Sequence, residues 1–113
     1  MKKGFAVKLI ITMLALLITA GITPGIYING LWAGFWAALI LGIVNILIKP
    51  VFTILTLPLT ILTLGLFIFV INGLMLLITA ALVPGFTVSG LFAAIIGSII
   101  LSICTWVINK VLD

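Results

Sequence analysis

The sequence predicts an all-α polytopic membrane protein. Four transmembrane helices form two repeated helix–turn–helix hairpins, joined by a non-spanning or kinked segment at 50–63. Three observations predict this. Of 113 residues, 66% are apolar and only 5% are charged, whereas a soluble domain carries roughly a quarter charged residues. The charges are Lys2, Lys3, Lys8, Lys49, Lys110 and Asp113, which leave 9–48 and 50–109 without any charge. Two Pro-Gly breaks, Pro24-Gly25 and Pro84-Gly85, lie one in each of those stretches.

Each element follows in order. A helical crossing needs about 20 apolar residues, so the first stretch holds two crossings and the second holds two or three. Backbone groups in hydrocarbon must be satisfied within a helix or a closed barrel. Barrel strands alternate in polarity, and runs such as Leu14–Ile18 and Leu74–Ile78 do not. The first helix is expected over 5–23, where Pro24-Gly25 ends it, because Pro cannot continue a helix and Gly releases the chain into a turn. A turn over 24–30 leads to a second helix over 31–48 with Asn29 as its N-cap. Pro50 and Pro58 start and bend the segment 50–63. A third helix is expected over 64–83, a second turn over 84–90 with Ser89 as N-cap, and a fourth helix over 91–109. Met1-Lys2-Lys3 resembles the start of a signal peptide with a cut near Thr19-Ala20. The matching run at 74–80 is internal, however, and favours a retained first helix.

The single transmembrane domain, 1–113, divides into repeat A over 14–48, the connector 50–63 and repeat B over 74–108. Laid on each other without a gap, the repeats agree at 15 of 35 positions. Ile18-Thr19-Ala20 matches Ile78-Thr79-Ala80, Pro24-Gly25 matches Pro84-Gly85, and Gly30-Leu31 matches Gly90-Leu91. If 50–63 crosses the bilayer the copies are inverted, and if it returns to the side it left they are parallel. Cytoplasmic flanks collect Lys. With four crossings Lys2, Lys3, Lys49 and Lys110 all lie inside and Lys8 snorkels to them. The expected location is therefore the bacterial cytoplasmic membrane, with both termini cytoplasmic.

Small residues recur every fourth position on the second helix, Gly30, Gly34, Ala38 and Gly42. Their counterparts on the fourth are Gly90, Ala94, Ser98 and Ser102. Such a stripe lets two backbones approach closely in lipid. It serves either packing of the second helix on the fourth or self-association into a homo-oligomer. Asn45 and Asn72 are the most polar side chains expected inside the crossings, and each needs a partner there. Thr53, Thr56, Thr60 and Thr63 share one helical face. They either line a wet path or bond their own backbone one turn back. Trp32, Trp36, Tyr27 and Trp106 suit the interfacial belts.

Several function classes are excluded. The chain has no His, Glu or Arg and one Asp, at its last position. It thus lacks groups for acid–base catalysis and for a metal site, and it is expected to be no enzyme and to carry no cofactor. Cys104 is the only cysteine, so no internal disulfide forms. Five scattered lysines make no groove for nucleic acid, and the partner they suit is the lipid bilayer. No small-molecule ligand is identifiable from the residues.

The order of these pieces resembles the small bacterial YvlD-like family, grouped with phage holin superfamily IV. The resemblance is carried by Pro24-Gly25 to Ala38, Asn45 to Pro50, Leu55 to Phe67 with its Leu-Thr-Leu-Pro block, Val70-Ile-Asn72, and Pro84-Gly85 to Gly90. One departure is Ile26, where the family tends to have an aromatic residue; Phe86 keeps it in the second copy. The resemblance implies a four-span cytoplasmic-membrane protein with no catalytic residue. The holin grouping implies proteins that accumulate, self-associate and breach the membrane so that a lytic enzyme escapes. Two other readings stand beside it: a housekeeping accessory in envelope maintenance or stress, and a small transporter built on the repeat and the Thr stripe.

Overall fold

The computed structural model describes residues 4–112. Lys2, Lys3 and Asp113, counted above among the flanking charges, lie outside the described residues. The elements in order are α1 (Phe5–Ile22), β1 (Ile26–Ile28), α2 (Gly30–Leu47), α3 (Lys49–Leu55), α4 (Leu57–Leu62), α5 (Phe67–Leu82), β2 (Phe86–Val88) and α6 (Leu91–Leu112). The long helices fall within a few residues of their expected places. At 1.5 Å per residue, the 18 residues of α1 and of α2 reach about 27 Å. The 22 residues of α6 reach about 33 Å, and the 16 of α5 about 24 Å. Three helices, α1, α2 and α6, are long and apolar enough to cross a bilayer by length and composition.

The two turns hold more order than the sequence predicts. Each carries a three-residue strand, and the strands pair antiparallel with Ile26 opposite Val88, Tyr27 opposite Thr87 and Ile28 opposite Phe86. Ile-Tyr-Ile and Phe-Thr-Val alternate across the ribbon, with the first residue of each strand buried and the second exposed. Tyr27 thus faces its own counterpart in the second repeat. Asn29 N–H donates to the Gly85 carbonyl at 2.8 Å, and Ser89 N–H donates to the Gly25 carbonyl at 2.8 Å. Each bond is the other with the two repeats exchanged, so a local two-fold axis passes between Tyr27 and Thr87. Gly25 and Gly85 sit at φ +91° and +86°. A Cβ on Gly25 would strike Ser89 and approach Ala93 to 3.1 Å; one on Gly85 would approach Ala33 to 3.0 Å. Two requirements meet at these positions, a left-handed backbone and close approach, and only glycine meets both.

The strand pair brings both hairpin tips to one end. By chain connectivity α1 and α5 run toward it, and α2 and α6 run away. The helices form a ring in the order α1, α2, α5, α6 and back to α1; among the described residues the backbones of the diagonal pairs α1/α5 and α2/α6 nowhere come within 8 Å, Cα to Cα. The expected packing of the second helix on the fourth is thus not made. The small residues are used differently. Gly34 takes the side chains of Leu17 and Met13 from α1, with a virtual Cβ 3.2 Å from Leu17. The backbones of α5 and α6 approach closely, so that a Cβ on Gly73 would lie 3.0 Å from the Ile95 nitrogen. Gly97 receives the side chain of Ile26. Apolar residues gain little from meeting one another in lipid, so this close van der Waals contact is the main attraction.

The connector is two short helices, α3 of seven residues and α4 of six. At about 10 Å each neither reaches across a bilayer of about 30 Å. Pro50 and Pro58 occupy their first turns, where a missing N–H costs nothing. Leu64 at φ 57° and Gly65 at φ 91° then turn the chain, and α5 starts at Phe67 rather than near 64 for that reason. Asn29 stands at the N-cap of α2 without a side-chain cap bond; its backbone bond to Gly85 orients the helix start instead.

Candidate functional site

The end of the bundle away from the strands is open. Because α2 and α6 stand on a diagonal, a cleft separates them there, and the residues facing it follow helical spacing. Leu41, Asn45 and Lys49 succeed one another every fourth position from α2 into the start of α3. On α6 Ser98, Ser102, Thr105 and Asn109 follow at intervals of 4, 3 and 4. Asn72 of α5 closes one side and Thr12 of α1 the other. The inner part is a cavity of about 110 Å³ lined by Leu41, Asn45, Lys49, Asn72, Leu76, Ser98, Leu101 and Ser102. The outer part, about 390 Å³, adds Thr12, Thr105, Trp106 and Asn109. Leu41, Asn45, Leu101 and Ser102 line both, so the two parts are one cleft. Along α6 it runs from Ser98 toward Lys110, about 18 Å.

The cleft is blind. Leu41 and Leu76 at its inner end belong to a continuous apolar core that includes Leu16 and Met75 and reaches Ile26, Val83 and Phe86 beside the strands. Its mouth is cationic among the described residues, since Lys8, Lys49 and Lys110 all fall at this end. The Lys110 ammonium lies 5.9 Å from the Trp106 ring centroid, within cation–π reach. Ser98 Oγ donates to the Ile95 carbonyl at 2.8 Å and Thr12 Oγ1 to the Lys8 carbonyl at 2.9 Å. Among the described residues, the side chains of Asn45, Lys49, Asn72 and Ser102 make no hydrogen bond to protein and open onto the cleft.

The residues singled out from sequence fall in three groups. Of the small stripe, Gly34, Ala38, Ala94 and Ser98 are buried inside the bundle, Gly90 is half-buried, and Gly30, Gly42 and Ser102 are exposed. Nothing lies within 4 Å of a virtual Cβ on Gly42. Asn45 and Asn72 are brought to one cavity from different helices. The threonines of the connector line none of the cleft. Thr53, Thr56, Thr60 and Thr63 each donate to the carbonyl four residues back, at 2.8, 2.7, 3.2 and 2.9 Å. Thr63 also accepts from Phe67 N–H at 3.1 Å, tying α4 to α5.

Sequence reasoning passed over Lys49, Thr105 and Asn109 as cleft residues, although the 4-3-4 spacing on α6 was legible. It also missed Gly73 and Gly97, which carry no pattern of their own. Two further hollows flank the strand pair in two-fold relation. One, about 540 Å³, is lined by Thr23, Pro24, Gly25, Ser89 and Phe92 among others. The other, about 460 Å³, is lined by Val83, Pro84, Gly85, Asn29 and Trp32 with Trp36. Thr23, 4% exposed, is the counterpart of Val83; its Oγ1 is buried without a hydrogen-bond partner.

Known proteins resemble this chain over nearly its whole length. Residues 3–107 match the family described as Mycobacterial 4 TMS phage holin, superfamily IV. The chain is 42% identical over 107 residues to YvlD, an uncharacterized membrane protein of Bacillus subtilis (strain 168), covering 94% of this chain and 90% of YvlD. It is 38% identical over 120 residues to the uncharacterized protein SCO3922 of Streptomyces coelicolor, covering 97% of this chain and 96% of that one. No solved structure matches the chain.

Proposed function

The chain belongs to the mycobacterial four-transmembrane-segment phage holin family, superfamily IV, and we propose that it acts by self-association in the cytoplasmic membrane, lowering the permeability barrier there. In this reading α1, α2, α5 and α6 each cross once and the two hairpins are parallel copies. The strand-paired tips face outward. The lysine end, with both termini and the connector, faces the cytosol, as the distribution of Lys favours. The family description supports the four crossings; the shared tip and the short connector helices support the parallel arrangement. The role is without catalysis, as the composition implies.

One observation carries the reading. The cleft between α2 and α6 presents Asn45, Ser102 and Thr105 beside the exposed small residue Gly42, and the bundle does not use Gly42 in its own packing. A polar groove edged by a small residue is a poor surface to leave against lipid. A second copy seated there would cover it, and several copies so seated would bring their polar grooves together within the bilayer.

The test is inducible expression with a membrane-potential dye. The expected result is loss of potential above a threshold level, and Gly42→Leu at the same level should delay it. Intact potential and viability at high expression, with or without a co-expressed endolysin, would sink the reading. The topology is read separately by cysteine labelling at 29, 89 and 112 in a Cys104→Ala background. Positions 29 and 89 should label from outside and 112 only after permeabilisation.

A further inference from the structure

The inner part of the cleft has the chemistry of an anion site. We propose that Lys49, Asn45, Asn72 and Ser102 bind a phosphate-class oxyanion, either free in the cytosol or as part of a lipid headgroup. The cavity they line holds about 110 Å³, room for three or four waters at about 30 Å³ each or for one small tetrahedral anion.

The sign of the ligand follows from the charges. Lys49 is half-buried at the junction of α2 and α3. Lys49 is the one charged residue among those lining the cavity, and no carboxylate lines it. A lysine on the wall of the cavity disfavours a metal cation there and favours an anion. The other lining groups can all donate. Two carboxamides bring up to four N–H donors and Ser102 one O–H, and hydrogen bonds from such donors to an ionised acceptor are stronger than neutral ones. None of these four side chains is committed to another protein group among the described residues, whereas Ser98, deeper in the same cavity, already donates to Ile95. The apolar floor of Leu41 and Leu76 lowers the local dielectric, which strengthens the attraction of a bound anion to Lys49. Two neighbouring groups that could compete for the anion are engaged elsewhere. Lys110 lies against Trp106, and the hydroxyl of Thr53, one turn on from Lys49, is bonded to the Lys49 carbonyl.

The experiment uses the full chain purified in neutral detergent and, in parallel, in nanodiscs. Thermal unfolding is followed against inorganic phosphate, with chloride holding ionic strength constant, and then in zwitterionic discs with and without phosphatidylglycerol. We expect saturable stabilisation in at least one arm. Response in micelles to inorganic phosphate identifies a free oxyanion, and response only to phosphatidylglycerol discs identifies the headgroup. Lys49→Gln should weaken the midpoint of that response at least tenfold, and Lys49→Arg should stay within threefold of wild type. Asn45→Ala, at an exposed position that the fold tolerates, should weaken it about threefold, and Lys110→Gln should leave it unchanged. Absence of a response in both arms, or equal loss with Lys110→Gln and Lys49→Gln, would overturn the proposal. Binding in micelles requires no pore, so a failure here is distinct from a failure of the dye assay.

Discussion

The two ends of this bundle are made from the same two hairpins and solve opposite problems. At the strand end the backbones of the two turns bond to each other, each turn to its equivalent in the other hairpin. The packing there is so close that Gly25 and Gly85 have no room for a methyl group. At the lysine end no strand pair joins the hairpins; α3 packs on α2 and α5 to one side, α2 and α6 stand apart, and polar side chains face a cleft. The lesson is that sequence similarity between copies produces tight pairing only where both copies keep the residues that the axis requires. Pro24-Gly25 and Pro84-Gly85 are kept. Asn45 and Thr105, or Lys49 and Asn109, are counterparts that differ, and there the symmetry opens into a site.

The largest effect is expected where the tip is broken. Gly25→Val or Gly85→Val forces a β-branched residue into a left-handed backbone and drives its Cβ into the other hairpin. Strain of about 1–3 kcal/mol adds to overpacking of about 1–3 kcal/mol. A loss of about 3 kcal/mol or more is therefore expected in detergent unfolding. A cross-strand disulfide checks the register independently. Tyr27→Cys with Thr87→Cys, in a Cys104→Ala background, should oxidise readily because the two positions are directly opposed. Gly25→Val should abolish that oxidation, and equal oxidation in both backgrounds would show that the pairing does not depend on the glycine.

Next comes the comparison of the two hairpins' own packing, where knob and hole are exchanged. In the first, Met13 and Leu17 of α1 fill the hollow over Gly34 of α2; in the second, Ile95 of α6 fills the hollow over Gly73 of α5. Gly73 is the counterpart of Met13. Gly73→Val should therefore cost about 2 kcal/mol, read in the same unfolding assay. Met13→Gly empties an interface instead of crowding one and should cost a similar amount. If Gly73→Val is silent, α5 and α6 do not approach as described.

A stabilising change is expected at Thr23. Its hydroxyl is buried without a partner, and the other hairpin has Val at the same place. Thr23→Val keeps the shape and removes the unsatisfied group, for a gain of about 1 kcal/mol. The reciprocal Val83→Thr should lose about as much. A loss in Thr23→Val would mean that the hydroxyl has a partner in the membrane-embedded protein.

The helices were legible in the sequence because uncharged length and Pro-Gly breaks are one-dimensional signals. The strand pair was not, since three residues per strand are below the length at which alternation stands out, and the pairing joins positions far apart in the chain. The stripe of Gly30, Gly34, Ala38 and Gly42 was legible as a packing face but not its partner. Which helix fills a groove depends on how the connector folds, and Leu64 in a left-handed conformation gives no warning in composition. Of the cleft, Asn45 and Asn72 were visible as polar residues in apolar helices. That they meet Lys49 in one cavity follows from the ring order of helices, which only the three-dimensional arrangement supplies.

The smallest effects are expected in the connector, and they separate its four threonines. Thr53, Thr56 and Thr60 bond carbonyls one turn back within the connector. Removing such a hydroxyl frees a carbonyl that is already placed in a helix, so each Thr→Val should change stability by less than about 0.5 kcal/mol. Thr63 differs because it also accepts the Phe67 N–H at the start of α5, as an N-terminal cap does. Thr63→Val should cost about 1 kcal/mol, and Thr63→Ser, which keeps the acceptor, should recover most of it. If all four substitutions behave alike, the link from α4 to α5 contributes nothing. The connector would then be anchored chiefly by α3, which packs on α2 and α5.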